Sequence, residues 1–325
     1  MGTSVEQRHT GAERQKGRGR DATSPSKMPF AGWKDVVART AKEASKDNVG
    51  LVAAGVSFYG FLALLPLLGA VVLSYGLFAD PQTVTRNMSA MTEIMPRDIA
   101  QLVGEQLMVV VQTSSEKKGL GVFVALALAI FSARNGAGAI VTALNIAYEE
   151  VESRGFIKLN LLALAITAAA VILAVLALLA VAILTQFEAV LPSSPLLSVA
   201  AKGISYILLA ALAAAAAASL YRFGPSREKA RWEWLSAGSA LFAVSWVALT
   251  LGFGAYVANF GNYGATYGSL AAVVILLTWL FLSSYLLVFG AELNSELEHQ
   301  TGRDTTTGPE QPIGTRGAWS ADHVA

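Results

Sequence analysis

The sequence predicts an all-α polytopic membrane protein: six transmembrane helices, with an amphipathic external helical segment between the first two. Three observations carry that reading. From Leu235 to Ala291 the chain has no Asp, Glu, Lys, Arg or His. A hydrocarbon core about 30 Å thick takes roughly 20 apolar helical residues to cross, so this run is long enough for two crossings. Charged residues make up 14% of the chain and hydrophobic residues 54%, whereas ordinary soluble domains carry about 25% charged residues. Finally, six apolar segments recur along the chain, separated by polar connections.

Residues 1–28 are polar and rich in Gly, Ser, Lys and Arg, a composition expected to remain a disordered tail. They contain no apolar stretch of the kind a cleavable signal needs, so the first apolar segment is expected to act as an uncleaved anchor. From Phe30 to Asn48 the pattern changes. Trp33, Val36, Val37, Thr40 and Ala44 recur near helical spacing while Lys34, Arg39, Lys42 and Lys46 take other faces. That suits a basic amphipathic helix on the membrane surface, or a plain solvated helix ahead of the first span.

The spans then follow within a membrane domain of residues 29–298. The first is Leu51–Phe78, where Pro66 is expected to bend the helix. The second runs from Gly119 as far as Tyr148, the third covers Leu159–Phe187 and the fourth Gly203–Tyr221. The fifth and sixth are Leu235–Phe260 and Tyr267–Leu293, joined by the turn-forming Gly261-Asn262-Tyr263-Gly264. The third and fourth are rich in alanine, which lets helix backbones approach closely in lipid. Between the first two spans, residues 80–118 hold two helix starts, Asp80-Pro81 and Met95-Pro96-Arg97-Asp98. These predict two amphipathic helices on the outer end of the bundle, packing on it or gating a cavity. Residues 299–325 are expected to form a second disordered tail.

Lysine and arginine set the orientation. Nineteen fall on the side of both termini and five on the other, and the excess marks the cytoplasmic side. The chain is therefore expected to be multi-pass, with N- and C-termini in the cytoplasm. The net charge of +1 implies no nucleic-acid partner. There are no cysteines and only three histidines, His9, His299 and His323. Disulfides, thiolate catalysis and a histidine-clustered zinc centre are excluded on that basis. No cofactor or metal is expected.

A few polar residues stand out against this background. Arg134, followed by Asn135, has apolar sequence on both sides. An arginine at mid-membrane costs about 2.5–3.5 kcal/mol on insertion scales. It is expected to snorkel to the interface or to contact an anion or lipid headgroup. Asn145 and Tyr148 are three apart and share a helix face. Tyr256, Asn259, Tyr263 and Tyr267 form a second polar-aromatic group around the last hairpin. Glu292 lies at the end of the last span, where a carboxylate opposes the helix dipole, so a cationic partner is expected, from Arg134 or from the 221–235 loop. These nine residues are the candidate substrate-binding set; each group also has a plain reading as interfacial tyrosines or interhelical hydrogen bonds. In the 221–235 loop, Arg222, Arg227, Lys229 and Arg231 are candidates for contact with anionic lipid, or serve only as a topogenic signal.

The chain resembles the YihY/BrkB family of bacterial inner-membrane proteins, members of which were once labelled ribonuclease BN. The resemblance covers roughly residues 35–298. It rests on Ala53-Ala54-Gly55-Val56-Ser57-Phe58-Tyr59 with Leu64-Leu65-Pro66, on Ala143-Leu144-Asn145-Ile146-Ala147-Tyr148 with Arg154, and on Arg222-Phe223-Gly224-Pro225 with Trp232. It continues through Tyr256-Val257-Ala258-Asn259-Phe260, Tyr263, Tyr267-Gly268-Ser269-Leu270, Trp279-Leu280 and Gly290-Ala291-Glu292-Leu293-Asn294. The resemblance implies six membrane helices and cytoplasmic termini but no settled activity. The expected function is a transporter or a lipid-handling or envelope protein that moves or binds an anionic solute or lipid. A non-transporting membrane scaffold or envelope-integrity factor is the alternative. A ribonuclease acting on tRNA ranks last, because the connecting loops are short and carry no catalytic cluster, and no enzymatic role is expected.

Overall fold

The computed structural model describes residues 17–78, 124, 131, 134–170, 172–173, 195–260 and 270–325. The expected external segment 80–118 lies outside the described residues, as do residues 1–16, Tyr263 and Tyr267. Among the described residues all regular secondary structure is helical, apart from one isolated β-bridge between Ala230 and Thr306.

A short 3-10 turn at Pro25–Lys27 precedes α1, Phe30–Lys46. Gly32, Val36, Thr40 and Ala44, each four residues on from the last, form the buried stripe of α1, as the sequence spacing predicts. The helix ends at Asp47, and Asn48 takes a left-handed φ of 51°, a conformation asparagine tolerates better than most residues. The chain then turns directly into α2, Val49–Phe78, which runs through Pro66. Helix α3 covers residues 134–147 and α4 covers Phe156–Ala170. Three long helices follow: α5, Pro195–Phe223; α6, Trp232–Phe260; and α7, Leu270–Gln300. A final turn, α8, spans Trp319–Asp322.

Three of these helices, at Gly203–Phe223, Trp232–Val257 and Val273–Gln300, are long and apolar enough to cross a membrane. Val49–Ala63 and Phe156–Ala170 are shorter apolar helices. The chain divides into two compact units, residues 59–137 and the remainder. In the larger unit α7 packs on both α6 and α1, and α5 packs on α6. Val56, Leu144, Tyr148, Tyr221, Leu235 and Val288 belong to its principal apolar core. A second core gathers Ala22, Met28, Val36, Trp234, Leu293 and Leu297 at the polar end of the helices.

The α6–α7 crossing depends on two glycines. A Cβ at Gly238 would collide with the carbonyl oxygen of Gly290, and one at Gly290 would lie 2.8 Å from the carbonyl oxygen of Gly238. Only bare backbones fit, which is how small residues drive helix association in lipid. The approach also lets Asn294 Oδ1 accept a 2.7 Å hydrogen bond from the Gly238 N–H, and Tyr221 donates a 2.8 Å bond to the Leu287 carbonyl.

The composition of residues 299–325 suggests disorder, but this segment is ordered and densely bonded. Arg316 donates to the carbonyls of Gly302, Arg303, Gln311 and Ala321. Gly302 N–H bonds the Arg20 carbonyl, Thr301 Oγ1 donates to the Ala22 carbonyl, and Thr307 N–H bonds the Lys229 carbonyl. A polar sequence is held here by backbone carbonyls, its own and those of other segments, a source of order that composition does not reveal.

Gly238→Leu is expected to force α6 and α7 apart and to cost about 1–3 kcal/mol or more, the range for overpacking a filled core. Thermal unfolding of the detergent-purified protein measures this, and an unchanged melting temperature would show that the crossing tolerates separation.

Candidate functional site

The polar side chains of the larger unit collect at one end, where α1, α3, α5, α6 and α7 terminate. The loop between α5 and α6 is a turn because Gly224 and Pro225 follow Phe223, and proline ends helical hydrogen bonding. This loop turns Arg227 inward. Arg227 Nη2 meets Glu298 Oε2 at 2.6 Å, with side chains 2% and 0% exposed. Thr305 Oγ1 donates to the same carboxylate oxygen at 2.6 Å, and the guanidinium lies 4.8 Å from the centre of the Tyr148 ring. Burial alone would lower the Arg227 pKa, but the Glu298 charge outweighs it and holds the guanidinium above its ordinary value.

A second network adjoins it. Asn145 Oδ1 accepts from the Ser226 N–H at 2.7 Å, and Asn145 Nδ2 donates to Glu152 Oε2 at 3.0 Å. Arg154 binds Glu152 in two-pronged fashion, at 2.7 Å on each oxygen, and donates to the Gly224 carbonyl at 2.7 Å. The Arg154 hydrogen bonds hold the Glu152 carboxyl down at about 2. Asn145 and Tyr148, expected to share a face, thus meet consecutive residues of one loop, Ser226 and Arg227.

The third feature is a cavity of about 300 Å³. Its lining includes Glu43, Glu149, Glu292, Glu296, His299 and Trp319. Arg39 Nε bonds Glu296 Oε2 at 2.5 Å, and Lys46 Nζ reaches Glu43 at 2.7 Å and Glu149 at 3.3 Å. Trp319 packs between His299 and His323, with ring centroids 4.7 and 4.4 Å away. Glu292 is 2% exposed, and its Oε1 has no hydrogen-bond partner among the described residues. Its neighbours are acidic: Asp47, Glu296, Glu43 and Glu149. Burial first, and then the Glu149 charge, raise the Asp47 carboxyl above its ordinary value.

The remaining candidates are scattered. Arg134 donates to Asn135 Oδ1 at 3.4 Å in the first turn of α3, within the smaller unit. Tyr256 is exposed on α6 and stacks on Phe253 at 6.2 Å, while Asn259 falls in the last turn of that helix. In the α5–α6 loop, Arg227 is withdrawn from any lipid surface by its pairing with Glu298, and for the same reason it is no partner for Glu292. Arg231 bonds the Thr306 carbonyl at 2.9 Å. Arg222 donates to the Ala230 carbonyl and lies over Trp232 at 4.7 Å, and Lys229 lies 5.3 Å from the Phe223 ring centre. Phe223 and Trp232, 42% and 51% exposed, complete an aromatic and basic rim.

Sequence reasoning missed Glu298, Asp47, Glu43 and Glu149, and placed His299 and His323 in unstructured tails. One signal was available: Glu292, Glu296 and His299 sit at helical spacing and so share a face.

Two predictions follow from the ion pairs. Replacing Arg227 with methionine strands the Glu298 charge and is expected to cost about 3–5 kcal/mol, with part recovered when Glu298 is also replaced by glutamine; thermal unfolding of the two variants decides it. Glu152 has a depressed carboxyl, so its contribution is complete above its ordinary value of 4.5 and is lost as pH falls through about 2. Glu152→Gln is expected to flatten the acid limb of the stability profile over that window.

A family model described as virulence factor BrkB matches residues 40–314. The chain is 29% identical over 194 residues to the ribonuclease-like protein YfkH of Bacillus subtilis, covering 57% of this chain and 69% of that protein. It is 32% identical over 108 residues to the UPF0761 membrane protein RC1_0578 of Rhodospirillum centenum, covering 33% of this chain but only 24% of that relative. No solved structure matches it.

Proposed function

This chain belongs to the family described as virulence factor BrkB, a family of membrane proteins, and from that premise we propose that it binds and moves an anionic solute or lipid. In this reading it crosses a bacterial inner membrane six times, with both termini in the cytoplasm. The observation that carries the reading is the rim of Arg222, Phe223, Lys229 and Trp232 where α5 ends and α6 begins. Exposed aromatic rings at the ends of spanning helices suit the headgroup level of a bilayer. Basic groups there attract anionic headgroups by about 1 kcal/mol each. The strong lysine and arginine bias toward this end supports the same orientation.

A scaffold role without transport is favoured by one feature, the ordered 301–325 segment that packs over the polar end. The ribonuclease-like name of the Bacillus relative is not carried over. Arg39, Arg227 and Arg316 are committed to internal partners, and the rim that remains is a small footprint for a polyanion such as tRNA.

In vesicles containing phosphatidylglycerol, the reconstituted protein is expected to accelerate exchange of a fluorescent anionic lipid or a small anion between compartments. Arg222→Gln combined with Lys229→Gln, and separately Arg134→Gln, are expected to slow that exchange several-fold. Exchange no faster than in protein-free vesicles, for lipid and anion alike, would rule out transport and leave the scaffold. Tags at both termini are expected to be cut by protease only in inverted membrane vesicles; cleavage of one tag from the outside would overturn the six-span topology.

A further inference from the structure

Glu43, Asp47 and Glu149 each offer a carboxylate oxygen, and these oxygens lie within 4.8 Å of one another. They come from three places: the last turn of α1, its C-terminal cap, and the turn after α3. The carbonyl ends of two helices therefore point toward the cluster and add partial negative charge to it. Such a cluster on a surface is commonplace. The distinguishing observation is Glu292, which lies beside it on α7. That side chain is 2% exposed, lines the same cavity as Glu43 and Glu149, and has Asp47 among its acidic neighbours. Its Oε1 has no donor among the described residues. A buried carboxylate among other carboxylates is costly unless it takes up a proton or a cation completes the group.

Among the described residues one such charge is hydrogen-bonded to the cluster. Lys46 hydrogen-bonds Glu43 and Glu149 but is 60% exposed, on a flexible stem at the mouth of the cluster. Arg39 is held by Glu296 and Gln300. Lys46 thus serves two of the four carboxyl groups, and Glu292 receives no hydrogen bond from it.

We propose that Glu43, Asp47 and Glu149 form a binding site for a hard divalent cation, magnesium or calcium, with Glu292 completing it through a coordinated water. All the donors are oxygens, which hard cations prefer. Calcium binds oxygen at about 2.3–2.6 Å with flexible geometry, and magnesium at about 2.0–2.1 Å with several retained waters; the carboxylate set accommodates either. Binding displaces Lys46 into solvent. It ties the α1–α2 elbow and the end of α3 to α7, so the cation acts as a clasp on the polar end of the helices. This holds whether the protein transports or only anchors.

The test uses the full chain, purified in detergent and stripped with a chelator. Calcium chloride and magnesium chloride are titrated separately, with choline chloride at matched ionic strength as control. A saturable rise in melting temperature with at least one divalent ion is expected, since a ligand bound only by the folded state stabilises it. Terbium luminescence sensitised by Trp319, which lines the same cavity, gives a second readout that does not depend on stability. Glu292→Gln and Asp47→Asn are expected to lower apparent affinity by about tenfold or more. Each stripped variant should be at least as stable as the stripped parent, because a like charge has been removed. Glu310→Gln, remote and exposed, should leave the response unchanged, and Lys46→Met should tighten binding. No saturable response to either ion would overturn the site. So would a response that survives both Glu292→Gln and Asp47→Asn, or one shared equally by choline.

Discussion

Hydrocarbon forms no hydrogen bonds with a charge, and that constraint arranges the whole of the larger unit. Helices α5, α6 and α7 carry their apolar lengths with scarcely an ionisable group, and the acids and bases gather where the helices end. There α1, the α5–α6 loop and residues 301–325 fold over that end, and most of the buried charges find a partner within the protein. Arg227 and Glu298 do so with almost no exposed surface. A buried pair of this kind adds little net stability compared with a well-packed apolar substitute. Its effect is positional: it fixes the α5–α6 loop against the last turn of α7.

That positioning depends on the bare contact between Gly238 and Gly290. Because the backbones touch, Asn294 reaches across to the backbone of α6 and sets the rotation of α7. Helical spacing then distributes the last turns of α7 between two faces. Asn294 and Glu298, four residues apart, face α6 and its loop. Glu292, Glu296 and His299 face α1. A side chain at either glycine would separate the helices and release both faces together. Two residues with no chemistry of their own thus set the geometry of every charged group around them.

The helical fold was legible because its signal is compositional. Long uncharged runs at α6 and α7, and the four-residue stripe on α1, are visible without coordinates. The polar end was only half legible. Asn145, Tyr148 and Glu292 stand out because they are polar in apolar surroundings. Glu298, Asp47, Glu43 and Glu149 do not, since acids beside helix ends look like solvated residues in any sequence. Arg227 showed the opposite failing: a basic loop suggests a lipid contact, yet its central arginine turns inward. The order of residues 301–325 was hidden for a related reason. It arises from carbonyl acceptors within the segment and in distant ones, and side-chain composition gives no account of these. Likewise, pairing Glu292 with a base of the 221–235 loop was a sound electrostatic expectation, but Glu298 claims that base first.

The three buried acids of α7 then pose one question with unequal answers. Glu298 has Arg227 and Thr305, and Glu296 has Arg39 with His299 at 3.6 Å. Glu292 has no donor on one oxygen and acidic neighbours around it. If burial at this end required only shape, a glutamine would fill the same volume and donate to Asp47 without repulsion. An acid there differs from glutamine in one respect: it can take up positive charge from outside the chain, as a proton or as a cation. The cavity beside it opens toward that supply, and the exposed lysine at its mouth is a movable placeholder and not a permanent partner. What the fold leaves unsatisfied at Glu292, while satisfying the other two acids on the same helix, therefore reads as capacity reserved for a ligand.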